Sequence, residues 1–461
     1  MAVHGRLRKI KWAILIVTLG IYYLLPFVRW DRGPFAPSQA VLIDMEAKRA
    51  YFFFIEIWPQ EVYYLTGLLV LASVVLFLMN AVAGRIWCGY LCPQTVWTDL
   101  FLAVERWTEG DRRDRVKLDD GPWTARKVQA KITKHFLWLM IAWWTGGAWV
   151  LYFNDAPTLV WQLLIFQAPM IAYIWIGILT FTTYSLAGFM REQVCTYMCP
   201  WPRIQAALTD EWALNVTYRT DRGEPRGSLK ESRKLAKAGQ PAGDCIDCYQ
   251  CVAACPTGVD IRQGMQLDCI QCGLCIDACD NVMEKIGRET GLIAYDTDMN
   301  VKRRSEGLQP IFRIVRARTV IYALVIAFVS AVMLYALATR EFVGISVLHD
   351  RNPIYVEQSD GSIRNGYTVR ISNKRNIERR FALGVEGLPS GTRIEGVGIK
   401  DTIGGRPVVE LGPGTSREVR ILVYTPNDRT LPESTSVTFR ITDTVMGEMT
   451  TAKDYFKAPK S

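Results

Sequence analysis

The sequence predicts a multi-domain membrane protein: an α-helical transmembrane bundle of five spans, a cysteine-rich soluble domain inserted before the last span, and a C-terminal all-β sandwich. Three observations carry this. Five segments hold close to the roughly 20 apolar residues that a bilayer core requires, the 12 cysteines fall into four short runs, and beyond Arg340 the apolar pattern becomes alternating. A mean hydropathy of +0.09 is too low for a chain that is membrane throughout, so spans must alternate with polar domains.

The spans are expected at Ile10 to Val28, Val62 to Gly84, Phe136 to Phe153, Pro169 to Met190 and Val320 to Ala338. The first follows a basic start (Arg6, Arg8, Lys9, Lys11) and ends at Pro26-Phe27-Val28-Arg29 with no small-residue cleavage site, so it reads as an uncleaved span. Lys and Arg crowd the start, the segment after Gly84 and the section from Arg191 to Arg318, whereas Asn154 to Trp161 has none. By the positive-inside rule the N-terminus is cytoplasmic, and five crossings put the C-terminus in the periplasm of a bacterial inner membrane. The net charge of +9 is thus a membrane-topology signal, with no nucleic-acid module beside it.

Two related motifs follow the second and fourth spans: Arg85-x2-Cys88-Gly-Tyr-Leu-Cys92-Pro93 and Arg191-x3-Cys195-Thr-Tyr-Met-Cys199-Pro200. On a helix, residues i and i+4 share one face, so each pair is expected to present two thiols together, and like-oriented spans would bring all four to a common centre. Buried packing of small thiols near helix ends is the competing reading, but it does not account for two copies with flanking Arg and Pro. Soft thiolates select Cu(I), zinc or iron-sulfur centres, and Met198 adds a thioether. His135, beside Lys134, is a further candidate metal ligand or an interfacial hydrogen-bonding group.

The stretch Tyr218 to Gly243, rich in Gly, Pro and charge, reads as a linker whose basic residues form a solvated, membrane-facing surface in preference to a binding site. It leads to Cys245-x2-Cys248-x2-Cys251-x3-Cys255-Pro256 and Cys269-x2-Cys272-x2-Cys275-x3-Cys279. This is the bacterial ferredoxin spacing for two 4Fe-4S clusters, in which the fourth cysteine of each run serves the other cluster. One cluster is therefore assigned to Cys245, Cys248, Cys251 and Cys279, the other to Cys269, Cys272, Cys275 and Cys255. Asp280 stands where proline usually follows, so a looser turn and a more solvated cluster are expected there. The three histidines, His4 in the basic start, His135 at the mouth of the third span and His349 beyond the last span, leave no facing pair within the membrane for a bis-histidine haem, and no Gly-rich dinucleotide fingerprint follows a strand.

After the last span, Tyr367-Thr368-Val369-Arg370-Ile371 and Val437-Thr438-Phe439-Arg440-Ile441 alternate with period two between Gly, Pro and Asn turns, the pattern of an immunoglobulin-like β-sandwich. The expected divisions are residues 1–191 for the N-terminal membrane region, 192–243 for a cytoplasmic connector with the second thiol pair, 244–300 for the ferredoxin domain, 301–340 for a connector and the fifth span, and 341–461 for the sandwich.

At these residues the chain resembles the cytochrome c oxidase accessory protein family known as CcoG, FixG or RdxA. The resemblance is carried by Gly33-Pro34-Phe35-Ala36-Pro37 with Gln39-Ala40, by Ile57-Trp58-Pro59-Gln60-Glu61, by Arg85 to Gln94 and by Glu192 to Trp201, together with the ferredoxin runs and the sandwich. It implies a cupric reductase that converts Cu(II) to Cu(I) for assembly of a cbb(3)-type oxidase. Copper is then the substrate, Cys88, Cys92, Cys195 and Cys199 handle it, and oxidase assembly factors or a copper chaperone and a cytoplasmic electron donor are the partners. Two other functions fit the same motifs: a quinol-linked membrane conduit to another redox enzyme, and a non-catalytic assembly scaffold.

Overall fold

The computed structural model describes residues 2–426 and 431–459, in two compact units. The first comprises Met1–Trp30 and Gln39–Leu334, and so joins the membrane helices and the ferredoxin section; the second comprises Asp31–Ser38 and Tyr335–Ser461.

In the first unit, the helical stretches Arg6–Phe27, Pro59–Ala83, Met170–Met190 and Ala317–Ala338 are long and apolar enough to cross a membrane. Their apolar side chains face outward: Leu69, Phe181, Leu324 and Phe328 are all more than 60% exposed, which is tolerable only where the solvent is lipid. The remaining expected span, Phe136 to Phe153, lies in helix Ala125–Val150, about 39 Å long at 1.5 Å per residue. Trp138, Trp143, Trp144, Trp149 and the Thr145-Gly146-Gly147 step replace aliphatic residues there, and it falls outside the apolar set. It packs on Met170–Thr183 at Gly146, where a Cβ would come within 3.0 Å of the Ile176 carbonyl and 3.1 Å of the Thr180 nitrogen. Small residues at such crossings let two backbones approach.

Between the first two spans the chain makes a three-stranded antiparallel meander, Val41–Asp44, Arg49–Phe52 and Ile55–Ile57, which the sequence reading did not anticipate. Gln39 explains its place in the family motif. Its wholly buried amide donates to the carbonyls of Val41 and Leu151 and accepts from Ala156 N, tying the meander to the turn after Val150.

The second unit is the expected sandwich. One sheet orders Arg393–Gly396, Ser416–Thr425, Ile363–Asn373 and Val343–His349, with Val356–Glu357 also on Ile363–Asn373; the other orders Thr402–Ile403, Arg406–Leu411, Arg379–Glu386, Ser434–Asp443 and Met449–Lys457. The alternation read from sequence is the core pattern: Tyr367, Val369 and Ile371 from one sheet meet Phe439 and Ile441 from the other, with Tyr367 and Phe439 edge to face at 4.7 Å. Beneath them Arg379 is paired with Asp443 and, at 2.7 Å, with Glu448. Burial pushes the Asp443 carboxyl up, but the N–H groups of Met446 and Val445 and the Arg379 guanidinium outweigh it and hold the carboxyl below its ordinary range. A depressed carboxylate contributes stability above its unfolded pKa and loses it as pH falls through the folded one, so this contribution fades below about pH 4. Asp443→Asn should leave Arg379 with Glu448 as its charged partner and cost the sandwich about 1–3 kcal/mol, read as faster hydrogen exchange in strands Arg379–Glu386 and Ser434–Asp443.

Candidate metal centre

The ferredoxin section begins earlier than its cysteines. Strand Asn215–Tyr218 pairs antiparallel with Ile293–Asp296, and Val216, Tyr218, Leu292 and Ile293 form one core with Cys245, Cys251 and Cys279. The presumed linker begins at the last residue of this strand and also holds a helix, Leu229–Lys237.

The two cysteine loops repeat one backbone shape. Asp247 and Tyr249 flank Cys248 with φ of 51° and 57°, and Gln271 and Gly273 flank Cys272 with φ of 54° and 72°. Left-handed residues in such turns gather backbone N–H groups into a concavity suited to an anion, a recurrent setting for iron-sulfur centres. The thiols fall into two sets. Cys279 experiences the charges of Cys251, Cys248 and Cys245, while Cys255 acts on Cys269, Cys272 and Cys275. Burial pushes Cys251 up to about 11 and Cys269 and Cys279 up to about 12, so as free thiols they stay protonated at neutral pH. Thiolates so buried need a cationic metal to form. Among the described residues no three His, Cys, Asp or Glu side chains are gathered tightly enough for a single ion. A tetrahedral zinc would need sulfurs about 3.8 Å apart, given Zn–S near 2.3 Å. The two sets accordingly fit clusters, which span a wider frame.

Asp280 overturns one expectation. Helix Leu274–Ile286 runs straight through Cys279, which is buried, and Asp280 Oδ1 accepts Gly291 N at 2.8 Å. Proline in a helix interior removes a hydrogen bond and clashes, so its absence continues the helix instead of loosening a turn. After the first run, by contrast, helix Gln250–Ala254 stops at Cys255, before Pro256. Solvent reaches the first set at Cys248, which is exposed.

The motifs after the spans are also built differently from the shared helical face. Cys88 lies in helix Ile86–Tyr90, but Cys92 is extended and precedes helix Pro93–Glu109; Cys199 is likewise extended after the turn Val194–Met198. Each loop is closed by an i to i−5 bond, Cys92 N to Trp87 O at 2.9 Å and Cys199 N to Val194 O at 2.8 Å. The prolines are the cause, because a residue before proline is driven from helical to extended backbone. The two loops still converge: Cys88 experiences Cys92, Cys195 and Cys199, and Cys195 experiences Cys92 and Cys199. Burial raises Cys88 to about 12 and Cys195 to about 11.

The Cys88 loop sits directly on the second ferredoxin set. Cys88 packs against Ile270, Cys272 and Leu274, and a Cβ on Gly89 would lie 2.8 Å from the Ile270 carbonyl and 3.0 Å from Cys272 Cα. Arg85 donates its backbone N–H to Gln271 Oε1 at 2.7 Å and its guanidinium to the carbonyls of Leu267 and Pro202, while Tyr90 Oη donates to Cys272 O at 3.1 Å. A cavity of about 590 Å³ touches both centres, with Cys195 on one wall and Cys255 and Thr257 on another, among Arg8, Lys11 and Arg191.

Over 453 residues, 92% of its length, the chain is 50% identical to the nitrogen fixation protein FixG of Rhizobium meliloti (strain 1021), covering 86% of that protein. The chain belongs to the FixG family. The proteins RdxB and RdxA of Cereibacter sphaeroides (strain ATCC 17023) are similar at 49% over 90% of the chain and 51% over 84%, with 88% and 81% of their own lengths covered. Family models match in three places: a 4Fe-4S binding domain at residues 64–108, a 4Fe-4S dicluster domain at 190–298, and the IG-like fold at the C-terminus of FixG at 333–459. This FixG-family chain is a membrane iron-sulfur electron-transfer protein.

Two further expected site residues are His135 and Met198. His135 Nδ1 bonds Tyr184 Oη at 2.9 Å within a ring of Trp138, Tyr184 and Phe189, the geometry of an interfacial hydrogen-bonding group. Met198 is 56% exposed. Arg85, Gly89, Tyr90 and Gln271 seat the two loops on one another; Arg85, Gly89 and Tyr90 lie inside the first thiol motif, whereas Gln271 was not singled out from sequence. Gly89→Val should cost about 1–3 kcal/mol at this contact, because backbone atoms cannot yield to a new side chain. Hydrogen exchange at Ile270 to Gly273 should accelerate about tenfold or more, a change of 1.4 kcal/mol.

Proposed function

We propose that this protein is a cupric reductase of the bacterial inner membrane, supplying Cu(I) for assembly of a cbb(3)-type oxidase. The reading rests on one observation, the packing of the Cys88 loop against the Cys272 loop, which leaves a soft-ligand thiol centre in direct contact with a ferredoxin cysteine set. Two 4Fe-4S clusters, when bound by Cys245, Cys248, Cys251 and Cys279 and by Cys269, Cys272, Cys275 and Cys255, supply single electrons at low potential. The chain's own residues do the rest. Thiols from among Cys88, Cys92, Cys195 and Cys199 receive copper, no more than two at a time as they stand, since no three described ligands are gathered for one ion, and thiolates favour the monovalent state over the divalent one. Arg85 and Gln271 hold the two loops in register, and Gly89 keeps the gap free of a side chain.

Five crossings complete the proposal, with Ala125–Val150 as the third. Its Trp149 then serves as an interfacial anchor, and Lys127, Lys131 and Lys134 stay on the cytoplasmic side with the ferredoxin section. The sandwich lies in the periplasm, as a docking element for an oxidase assembly factor or a copper chaperone. The test is anaerobic: the dithionite-reduced protein is mixed with Cu(II), and Cu(I) is trapped by a chromogenic chelator. Stoichiometric Cu(I) supports the reading; reoxidation of the clusters without Cu(I) refutes it.

A further inference from the structure

We propose that the cationic face of helix Leu229–Lys237 is the docking surface for an acidic, soluble one-electron carrier protein, which reduces the cysteine set that opens to solvent at Cys248. The inference concerns electron supply, and it rests on the iron-sulfur assignment rather than on copper.

The helix is built to show one charge. Lys230, Arg233, Lys234 and Lys237 recur at i, i+3, i+4 and i+7, the spacing of a single face, and all four are exposed. Ser232 is buried on the opposite side. The one acid, Glu231, is occupied at the helix start, where it accepts from Ser228 N at 2.9 Å and Ser228 Oγ at 2.7 Å. A stripe of like charges repels itself, so nothing in the helix favours it without a complementary surface.

Its anchorage sets the stripe beside the exposed set. Ser232 Oγ accepts from Arg288 Nη2 at 2.6 Å, and Arg288 Nη1 donates to the carbonyls of Gly243 and Asp244, the two residues before Cys245. Gly227 N donates to Cys245 O at 3.3 Å, so the loop that opens the helix also touches the first ligand. Next to the exposed Cys248, Tyr249 is 58% exposed with Arg262 stacked 4.1 Å from its ring centroid. An aromatic anchor beside a charged field is the composition of a transient protein interface. The other set is covered by the thiol loops at Gly89 and Cys272, so the Cys248 set is the one a soluble protein can reach.

The experiment uses the full-length protein in zwitterionic nanodiscs and reduced flavodoxin as an acidic carrier. Stopped-flow bleaching of the clusters should slow at least tenfold between 20 mM and 300 mM salt, because steering between opposite charges is screened. The variant Lys230→Glu/Lys234→Glu/Lys237→Glu should be reduced by flavodoxin at least tenfold more slowly at low salt, with equal iron content and an unchanged rate with dithionite. Surface-plasmon binding of oxidised flavodoxin should weaken in parallel. Equal flavodoxin rates and binding for wild type and variant overturn the proposal. So does a variant whose only defect is lost binding to phosphatidylglycerol vesicles, which reassigns the face to lipid. If the triple variant loses iron, Lys234→Gln and the wild-type salt dependence decide in the same way.

Discussion

Replacing Cys88 and Cys92 together by serine is expected to lower the rate of copper reduction at least a hundredfold while leaving about eight irons per chain. The contrast follows from geometry. Neither residue belongs to the two ferredoxin sets, whose mutual influences are confined to Cys245, Cys248, Cys251 and Cys279 and to Cys255, Cys269, Cys272 and Cys275, with Cys251 bordering both. Serine preserves shape but offers a hard oxygen where Cu(I) requires soft sulfur. Because Cys88 packs against the Ile270, Cys272 and Leu274 cluster, the change removes a soft ligand in contact with the ferredoxin loops. Electron paramagnetic resonance of the reduced variant should show both clusters, and chelator-trapped Cu(I) should fall to background. A variant that keeps full turnover removes the four-thiol centre from the mechanism.

The second large effect is structural. Asp99, only 5% exposed, accepts from Arg8 Nη1 at 2.9 and 2.8 Å and lies 3.6 Å from Lys11 and 3.7 Å from Arg106. Arg8 and Lys11 are buried on the first membrane helix, and Asp99 belongs to helix Pro93–Glu109, which carries the Cys92 loop at its start. Asp99→Asn leaves these cations facing one another around a neutral amide. Breaking a buried pair in this way costs about 3–5 kcal/mol. The expected outcome is a lower midpoint for thermal unfolding in detergent and early loss of the contact between the first helix and Pro93–Glu109, measured by cross-linking. An unchanged midpoint would mean that water already screens the cluster.

The fold was legible where chemistry is written in contiguous residues. The ferredoxin runs give ligand type and spacing together, and the alternation around Val369 and Phe439 names the buried face directly. Reading failed where a distant partner decides. Strand Asn215–Tyr218 is four residues long and exists through Ile293–Asp296, and helix Leu229–Lys237 is held by Arg288, so the strand went unread and the helix passed for linker. Pro93 and Pro200 already announced that no single helix could carry either thiol pair, a local signal that the helical-face expectation passed over. Asp280 was judged by comparison with a motif when its own effect, an uninterrupted helix, was the informative one. The contact of Gly89 with Cys272 has no local signature at all.

That uninterrupted helix has one more consequence. Leu274–Ile286 bears Cys275 for one set and Cys279 for the other, and between them Asp277 accepts the backbone N–H groups of Leu7 at 3.2 Å and Arg8 at 2.7 Å, capping the first membrane helix from outside. One rod therefore fixes the spacing of both clusters and bolts them to the membrane part. Current through such a frame is governed by energy levels and fixed gaps, with no swinging arm to wait for.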